Sequence, residues 1–342
     1  MGVNLSDLVE PRTVELDELR GKKVAVDTYN IAYQFMSAIR QPDGFPLSDK
    51  QGRITSHLSG FLYRTANLVE SGIEPIFVFD GKPHKLKAAT LEERKERRDK
   101  AQEEWKAAIE KGDMKTAYTK AQQTSRMTPE VRDSAKELIG YLGFPMVMAP
   151  SDGEQQAAFM CNRKDVYAAA SQDFDSLLFG TPLLLRNLTL TGRRKVPGKD
   201  IYKEIKTEII DSNEFLTTLG ITREQLVDMC MLIGTDFNQG IKGIGPKKAL
   251  KLIKDNGNLE CVMTKIGENI PDYEEIRDIF LNYSGTEDYE TKFKPIDRQA
   301  VVDMLVSYDF DEGRVNSALD RIEKARKEAA AKKKQRSLDS WF

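Results

Sequence analysis

Cysteine and histidine are scarce in this chain. Its 342 residues include three cysteines, Cys161, Cys230 and Cys261, and two histidines, His57 and His84. An odd, scattered set of thiols excludes a disulfide framework and suits a reduced, intracellular setting. So few imidazoles and no cysteine cluster argue against a zinc site as well. No apolar run approaches the roughly 20 residues that a membrane helix needs, and the N-terminus carries no signal-peptide pattern. Neither charge is in large excess: 52 Lys and Arg against 54 Asp and Glu give a formal net charge of −2. Taken as an average, that balance argues against a nucleic-acid partner, because such domains are often strongly basic.

The average conceals a segregation. Lys82 to Lys100 carries eight basic residues against four acidic ones, Ile241 to Lys254 has five lysines and no acid, and Arg321 to Arg336 has eight basic residues against two acidic. The remainder is distinctly acidic. Basic patches and an acidic pocket are therefore expected together. With 40% apolar residues the chain can bury one large core or two joined ones.

Short apolar runs repeatedly end in carboxylates. Val24-Ala25-Val26 leads into Asp27, Ile76-Phe77-Val78-Phe79 into Asp80, Met146-Val147-Met148-Ala149 into Asp152 and Glu154, and Val166 to Ala170 into Asp173 and Asp175. Helical patterns lie between them, as at Leu58 to Val69. Strands alternating with helices predict an α/β fold around a largely parallel sheet covered on both faces. In such sheets the functional crevice lies at the carboxyl ends of the strands, where these acids fall. An extended backbone would put Asp173 and Asp175 side by side on one face. Asp236, after the apolar pattern ending Leu232-Ile233-Gly234-Thr235, completes a set of seven. So many converging carboxylates need compensating hard cations. A pair of Mg²⁺ ions about 4 Å apart, sharing oxygen ligands, would both relieve the repulsion and activate water against a phosphodiester.

Two stretches carry the other charge. From about residue 84 to 130 the chain is crowded with Lys, Arg, Glu and Gln, which reads as exposed helix; Lys87 and Arg94, seven apart, would project from one face. In Gly240-Ile241-Lys242-Gly243-Ile244-Gly245-Pro246-Lys247-Lys248, Gly243 and Gly245 allow a tight turn, proline opens a helix, and Lys247 and Lys248 enter it. That is a phosphate cradle at a helix N-terminus. Contacts there would go to backbone phosphates and would not read bases.

Together these motifs resemble the flap endonucleases, structure-specific 5′ nucleases of the XPG/Rad2 type, and most the archaeal members. The resemblance runs from Gly2-Val3-Asn4-Leu5 through Val78-Phe79-Asp80-Gly81-Lys82-Pro83, Ser151-Asp152-Gly153-Glu154, Ser171-Gln172-Asp173-Phe174-Asp175 and Gly234-Thr235-Asp236 to the C-terminus. It implies a PIN-like three-layer α/β/α core with a helical arch and a helix-hairpin-helix-like motif. It implies 5′ flap endonuclease and 5′-3′ exonuclease activity on flap and nicked duplex DNA in Okazaki-fragment maturation and repair, with two Mg²⁺ replaceable by Mn²⁺. Asp27, Asp80, Asp152, Glu154, Asp173, Asp175 and Asp236 would hold the metals. Lys87 and Arg94 would neutralise the scissile phosphate, Tyr33 would stack on the base beside the cut, and Gly2, Arg40, Arg64 and Gly234 would contact DNA. Where the family carries a glutamate ahead of Gly153, this chain has Asp152, shorter by about 1.5 Å.

The last residues, Gln335-Arg336-Ser337-Leu338-Asp339-Ser340-Trp341-Phe342, fit Gln-x-x-aliphatic-x-x-aromatic-aromatic, which resembles the peptide that docks on a PCNA-type sliding clamp. One helical turn would put Leu338, Trp341 and Phe342 on one face, with Gln335 in a polar pocket. The expected organisation is a nuclease region at 1–105, the remaining arch at 106–130, a second nuclease region at 131–260 with the hairpin motif at about 223–256, a helical region at 261–330 and a basic tail at 331–342. A cytoplasmic monomer is expected. The alternative is a clamp-recruited junction-binding protein with little catalysis, which gains nothing from a repulsive acidic pocket.

Overall fold

The structure is a computed structural model and describes residues 2–41, 44–189, 192–195 and 202–339. Its centre is a seven-stranded sheet. In chain order the strands are β1 (Arg12–Val14), β2 (Lys23–Asp27), β3 (Glu74–Phe79), β4 (Met146–Met148), β5 (Ala168–Ala170), β6 (Leu183–Arg186), β7 (Gly192–Lys195), β8 (Tyr202–Ile205) and β9 (Thr207–Asp211). The order across the sheet is β1-β9-β6-β5-β2-β3-β4, and β7 pairs with β8 in a separate hairpin. The five central strands β6-β5-β2-β3-β4 run parallel. β9 and β1 close one edge antiparallel.

Side-chain alternation makes three layers. Val24, Val26, Phe77, Phe79, Ala168 and Ala170 point into one buried cluster, which takes Phe35 from the helix Thr28–Ala38 and Leu138 from the helix Pro129–Tyr141. The residues between them, Ala25, Ile76, Val78 and Ala169, point to the other face, where Ala157 and Met160 of the helix Gly153–Asn162 cover them. Successive strand residues face opposite ways, so a strand apolar at every position must be covered twice. The α/β/α core with a mostly parallel sheet is thus the one expected.

The charge-rich stretch forms a separate helical pair, Ala88–Glu110 and Met114–Gln123. Its seam consists of small residues, Ala101, Ala108, Ala117 and Ala121, all buried. Alanine lets two polar helices approach closely while their long charged side chains stay in water. A second hairpin joins the helices Arg223–Ile233 and Pro246–Asn256, with Leu226, Val227, Cys230, Ile244, Ala249 and Ile253 in one buried cluster. The long final helix, Glu312–Asp339, packs Val315, Leu319 and Ile322 into the core. No helix among the described residues is long and apolar enough to cross a membrane.

One local expectation fails. Asp173 and Asp175 do not end an extended strand. β5 stops at Ala170, Phe174 has a helical backbone (φ −79°, ψ −5°), and Asp175 opens the short helix Asp175–Leu178. The reason is apolar: Phe174, Leu177 and Leu178 are all buried in the second core cluster, and a helical turn, not a strand, puts all three on that side.

Candidate active site

Asp27 ends β2 and caps the next helix, its carboxylate accepting from Asn30 N–H at 3.0 Å. Asp80 follows β3. The chain then passes so close to residues 149–151 that Gly81 has no room for a side chain: a methyl there would meet the Pro150 carbonyl oxygen at 2.7 Å. Gly81 N–H donates to the Ser151 carbonyl at 2.6 Å, and Gly153 N–H donates to Asp80 Oδ1 at 2.6 Å. Asp152 sits at the N-cap of the helix Gly153–Asn162, with Glu154 in its first turn. Unpaired N–H groups and the helix dipole there favour negative charge. Asp236 rides on a tight loop after the helix Arg223–Ile233. Gly234 turns that loop with φ 110°, Thr235 pairs with Asn238, and Phe237 N–H donates to Thr235 Oγ1 at 3.0 Å.

The acids influence one another. Burial, reinforced by Asp80, pushes Asp27 well above the ordinary carboxylate range. Glu154 is raised the same way, by burial and then by Asp175, Asp173 and Asp27. Asp175, buried with Asp236 and Asp173 nearby, is pushed up to about 7. Asp80 reaches about 6 through burial, partly offset by the Gly153 hydrogen bond and reinforced by Asp152 and Asp236. Carboxylates that resist ionisation this strongly mark a pocket of concentrated negative charge, the usual signature of a functional site.

Two cations enter this pocket from the base of the helical pair. Lys87 Nζ lies 2.8 Å from Asp152 Oδ1, 3.7 Å from Asp236 Oδ2 and 4.9 Å from the centre of the Phe237 ring. Burial works against its charge, yet Asp152 and Asp236 more than compensate and hold its pKa above the ordinary lysine value. Arg94 pairs with Asp236 Oδ1. The seven-residue spacing therefore does put both cations on one side.

Each remaining carboxylate has its own donor. Asp173 accepts from Asn30 Nδ2 at 3.1 Å, Glu154 from Ser171 Oγ at 2.8 Å and Asp175 from Val3 N–H at 2.8 Å. Accordingly, among the described residues no three acidic, imidazole or thiol side chains converge on one point as a metal cage. The donor chemistry nevertheless fits hard divalent cations: every candidate ligand is a carboxylate oxygen, and Asp152 Oδ2 is buried with no hydrogen-bond partner.

Comparison with known proteins matches this architecture. Residues 1–101 match the model of the XPG N-terminal domain and residues 143–236 that of the XPG I-region. Flap endonuclease 1 of Archaeoglobus fulgidus is 50% identical over 343 aligned positions, covering 100% of both chains. That of Pyrococcus abyssi is 49% identical, covering 100% of this chain and 98% of the relative. The chain belongs to the flap endonuclease family. Its activity is accordingly that of a structure-specific flap endonuclease. Among solved structures, the flap endonuclease-1 of Methanococcus jannaschii superposes with a TM-score of 0.76 at 38% identity, over 95% of this chain and 98% of that one. The catalytic core of Rad2 in complex with DNA substrate shares the fold, with a TM-score of 0.67 at 23% identity over 91% and 96% of the two chains.

On this flap endonuclease fold the other expected residues lie on several separate elements. Tyr33, on the helix that Asp27 caps, is half-buried, and its hydroxyl accepts from Met127 N–H at 3.3 Å. Arg40 is engaged already, donating to the carbonyls of Ser37 and Gly44 and to Ser125 Oγ; burial lowers its pKa to about 10. Arg64 ends the turn Gly60–Arg64 and is half-buried. Gly2 lies against Asp175, where a methyl would overlap the carboxyl group. Gly243 and Gly245 face open space, Lys247 and Lys248 are exposed, and Gly245 caps the helix Pro246–Asn256 without a side-chain bond. Gln335 is exposed on the final helix, which also carries Leu338. Trp341 and Phe342 lie outside the described residues.

Sequence reasoning missed the neutral donors: Asn30, Ser171 and the backbone N–H groups of Val3 and Gly153. Only Asn30 left a trace, as a polar residue three places after an N-capping aspartate.

Proposed function

We propose that this flap endonuclease hydrolyses the phosphodiester at the junction of a 5′ flap with duplex DNA, and works inward as a 5′-3′ exonuclease, through two Mg²⁺ ions. Asp27, Asp80, Asp152, Glu154, Asp173, Asp175 and Asp236 would hold the ions, and Mn²⁺ would serve in their place. Bound there, such cations acidify water and neutralise charge on the leaving oxygen. The chain's own groups do the rest. Lys87 stays protonated because two carboxylates face it; with Arg94 it offers a cationic rim that can exchange a carboxylate for the scissile phosphate, a stabilisation strongest where charge develops. Tyr33 offers an aromatic face to the terminal base, and Arg40 and Arg64 contact the strand. The open backbone of Gly243 and Gly245, with Lys247 and Lys248 beyond it, binds duplex phosphates without sequence preference. The segment Gln335 to Phe342 docks on a sliding clamp, and the enzyme works as a monomer in the cytoplasm.

The observation that supports this reading is the linkage of acids that raise one another's pKa, Asp27 with Asp80, Glu154 with Asp175, and Asp80 with Asp152 and Asp236, faced by Lys87 and Arg94. Incubating the protein with an end-labelled 5′-flap duplex tests it. Cutting at the junction in Mg²⁺ and none in chelator is expected, with Asp175→Ala inactive but still binding DNA. Tight binding without cutting in Mg²⁺ would leave only a junction-binding protein.

A further inference from the structure

Asn30 touches the site at two places and has no role in the scheme above. It lies on the first turn of the helix Thr28–Ala38, and its backbone N–H is the donor that Asp27 accepts. Its side-chain amide is used at both ends. Oδ1 accepts from Gln172 N–H at 3.1 Å and from Gln34 Nε2 at 2.7 Å, while Nδ2 donates to Asp173 Oδ2 at 3.1 Å. Gln172 N–H is a backbone donor and cannot accept, so a flipped amide would set two donors against each other. The orientation is therefore fixed, with the N–H turned to Asp173. Neighbours hold the frame: the Gln172 carbonyl accepts from Arg186 Nε at 3.2 Å, and Thr189 Oγ1 donates to Gln34 Oε1 at 3.4 Å.

This bridge matters because of where β5 stops. Asp173 lies beyond the last ladder residue, Ala170, so no sheet pairing sets its place. Asp27 is fixed by β2 and by its own capping bond. One amide then connects the rigid acid to the unladdered one, across 143 positions of sequence.

We infer that Asn30 is a positioning residue for flap cleavage: its amide ties the Asp27 turn to the Gln172–Asp173 loop and sets how the two carboxylates stand relative to each other. The inference rests on the reading of those acids as cation ligands. Ligand groups held by such outer hydrogen bonds lose affinity or rate when the bonds are removed, and misplacement of a reacting group by about 1 Å can cost roughly 100-fold.

Asn30→Asp is the discriminating variant. It has nearly the same shape and keeps an acceptor for Gln172 N–H and Gln34, but it turns an oxygen, not an N–H, toward Asp173. Single-turnover cleavage of a 5′-flap duplex should fall roughly tenfold to 100-fold, with flap affinity in Ca²⁺ unchanged. The melting-temperature rise produced by Mg²⁺ alone should shrink relative to wild type, a readout independent of cleavage. Asn30→Ala, lacking the opposed oxygen, should lose less in both. A wild-type rate and Mg²⁺ shift in Asn30→Asp, with Asp173→Ala inactive, would overturn the positioning role and leave the ligand reading intact. Cleavage by Asp173→Ala would overturn both. A fall in rate matched by an equal fall in flap affinity would assign Asn30 to substrate binding instead and overturn the inference.

Discussion

Replacing Gly2 by alanine should damage the active site from the opposite end of the chain. The Gly2 backbone runs directly against Asp175, and a methyl on its Cα would overlap the whole carboxyl group. The neighbouring Val3 is buried and tied to the core, and its N–H donates to Asp175 Oδ1 at 2.8 Å. The added methyl meets a side chain and not backbone, so turning the carboxylate away relieves the overlap. That movement breaks the Val3 bond, and a hydrogen bond to a charged acceptor contributes about 1.5–3 kcal/mol. If the lost interaction serves catalysis, the rate falls roughly tenfold to 150-fold. Folding is hurt less, since the overlap is with side-chain atoms and not with backbone. Single-turnover cleavage of a labelled 5′-flap duplex at saturating enzyme measures the chemical step apart from binding, and a thermal melt in parallel checks the fold. A Gly2→Ala protein that cuts within threefold of the wild-type rate would refute the idea that Asp175 must stand where it does.

Three further outcomes follow from the same geometry. Lys87→Ala and Arg94→Ala should each slow the single-turnover step about 100-fold or more with a smaller change in flap affinity, because the electrostatic gain is realised mainly as charge develops; equal losses in rate and affinity, by quench-flow and anisotropy, would contradict this. Lys247→Ala with Lys248→Ala should weaken duplex binding uniformly across sequences and lower the salt slope of log Kd by about 1.8, the contribution of two phosphate contacts; an unchanged slope would place the DNA elsewhere. His57 is buried, with Nε2 on Ser134 Oγ at 2.8 Å and Nδ1 unpartnered, and burial pushes its pKa down to about 3. The unfolded chain binds this proton near pH 6.5 and the folded chain only near 3, so the stability it gives is complete above 6.5 and is lost as pH falls toward 3, by about 2 kcal/mol at pH 5; His57→Gln should show a shallower decline in urea unfolding, and parallel curves would refute the assignment.

What was legible in the sequence depended on whether the signal was local. Apolar strands ending in Asp27 and Asp80 are local, and both acids lie at the sheet edge as their runs imply. The spacing of Lys87 and Arg94 is local too, and both reach Asp236. The Asp173–Asp175 pair misled because alternation describes a strand only while the ladder lasts, and the ladder ends at Ala170. Beyond it, burial of Phe174, Leu177 and Leu178 decides the backbone, and burial is a tertiary property. The donors that hold the acids, Asn30's faint trace aside, were illegible for the same reason. Asn30 and Asp173 are 143 residues apart, and Val3 and Asp175 are 172 apart; no pattern along the chain couples them.

Asp152 gathers these threads. The sequence marks it as one of the seven acids and as a shorter side chain where a glutamate was expected. In the structure it takes the N-cap place on the helix Gly153–Asn162 without making a side-chain capping bond. Lys87 takes one of its oxygens, and the other is buried without a partner. An unpaired buried carboxylate oxygen is expensive unless a cation or water reaches it. One oxygen of the shorter side chain is thus buried and unpartnered while the other stays paired with Lys87. Asp152 and Asp236 are therefore where the charge of the acidic pocket and the basic charge of Lys87 and Arg94 meet directly, which explains how a chain of net charge −2 can present both signs to one phosphate backbone.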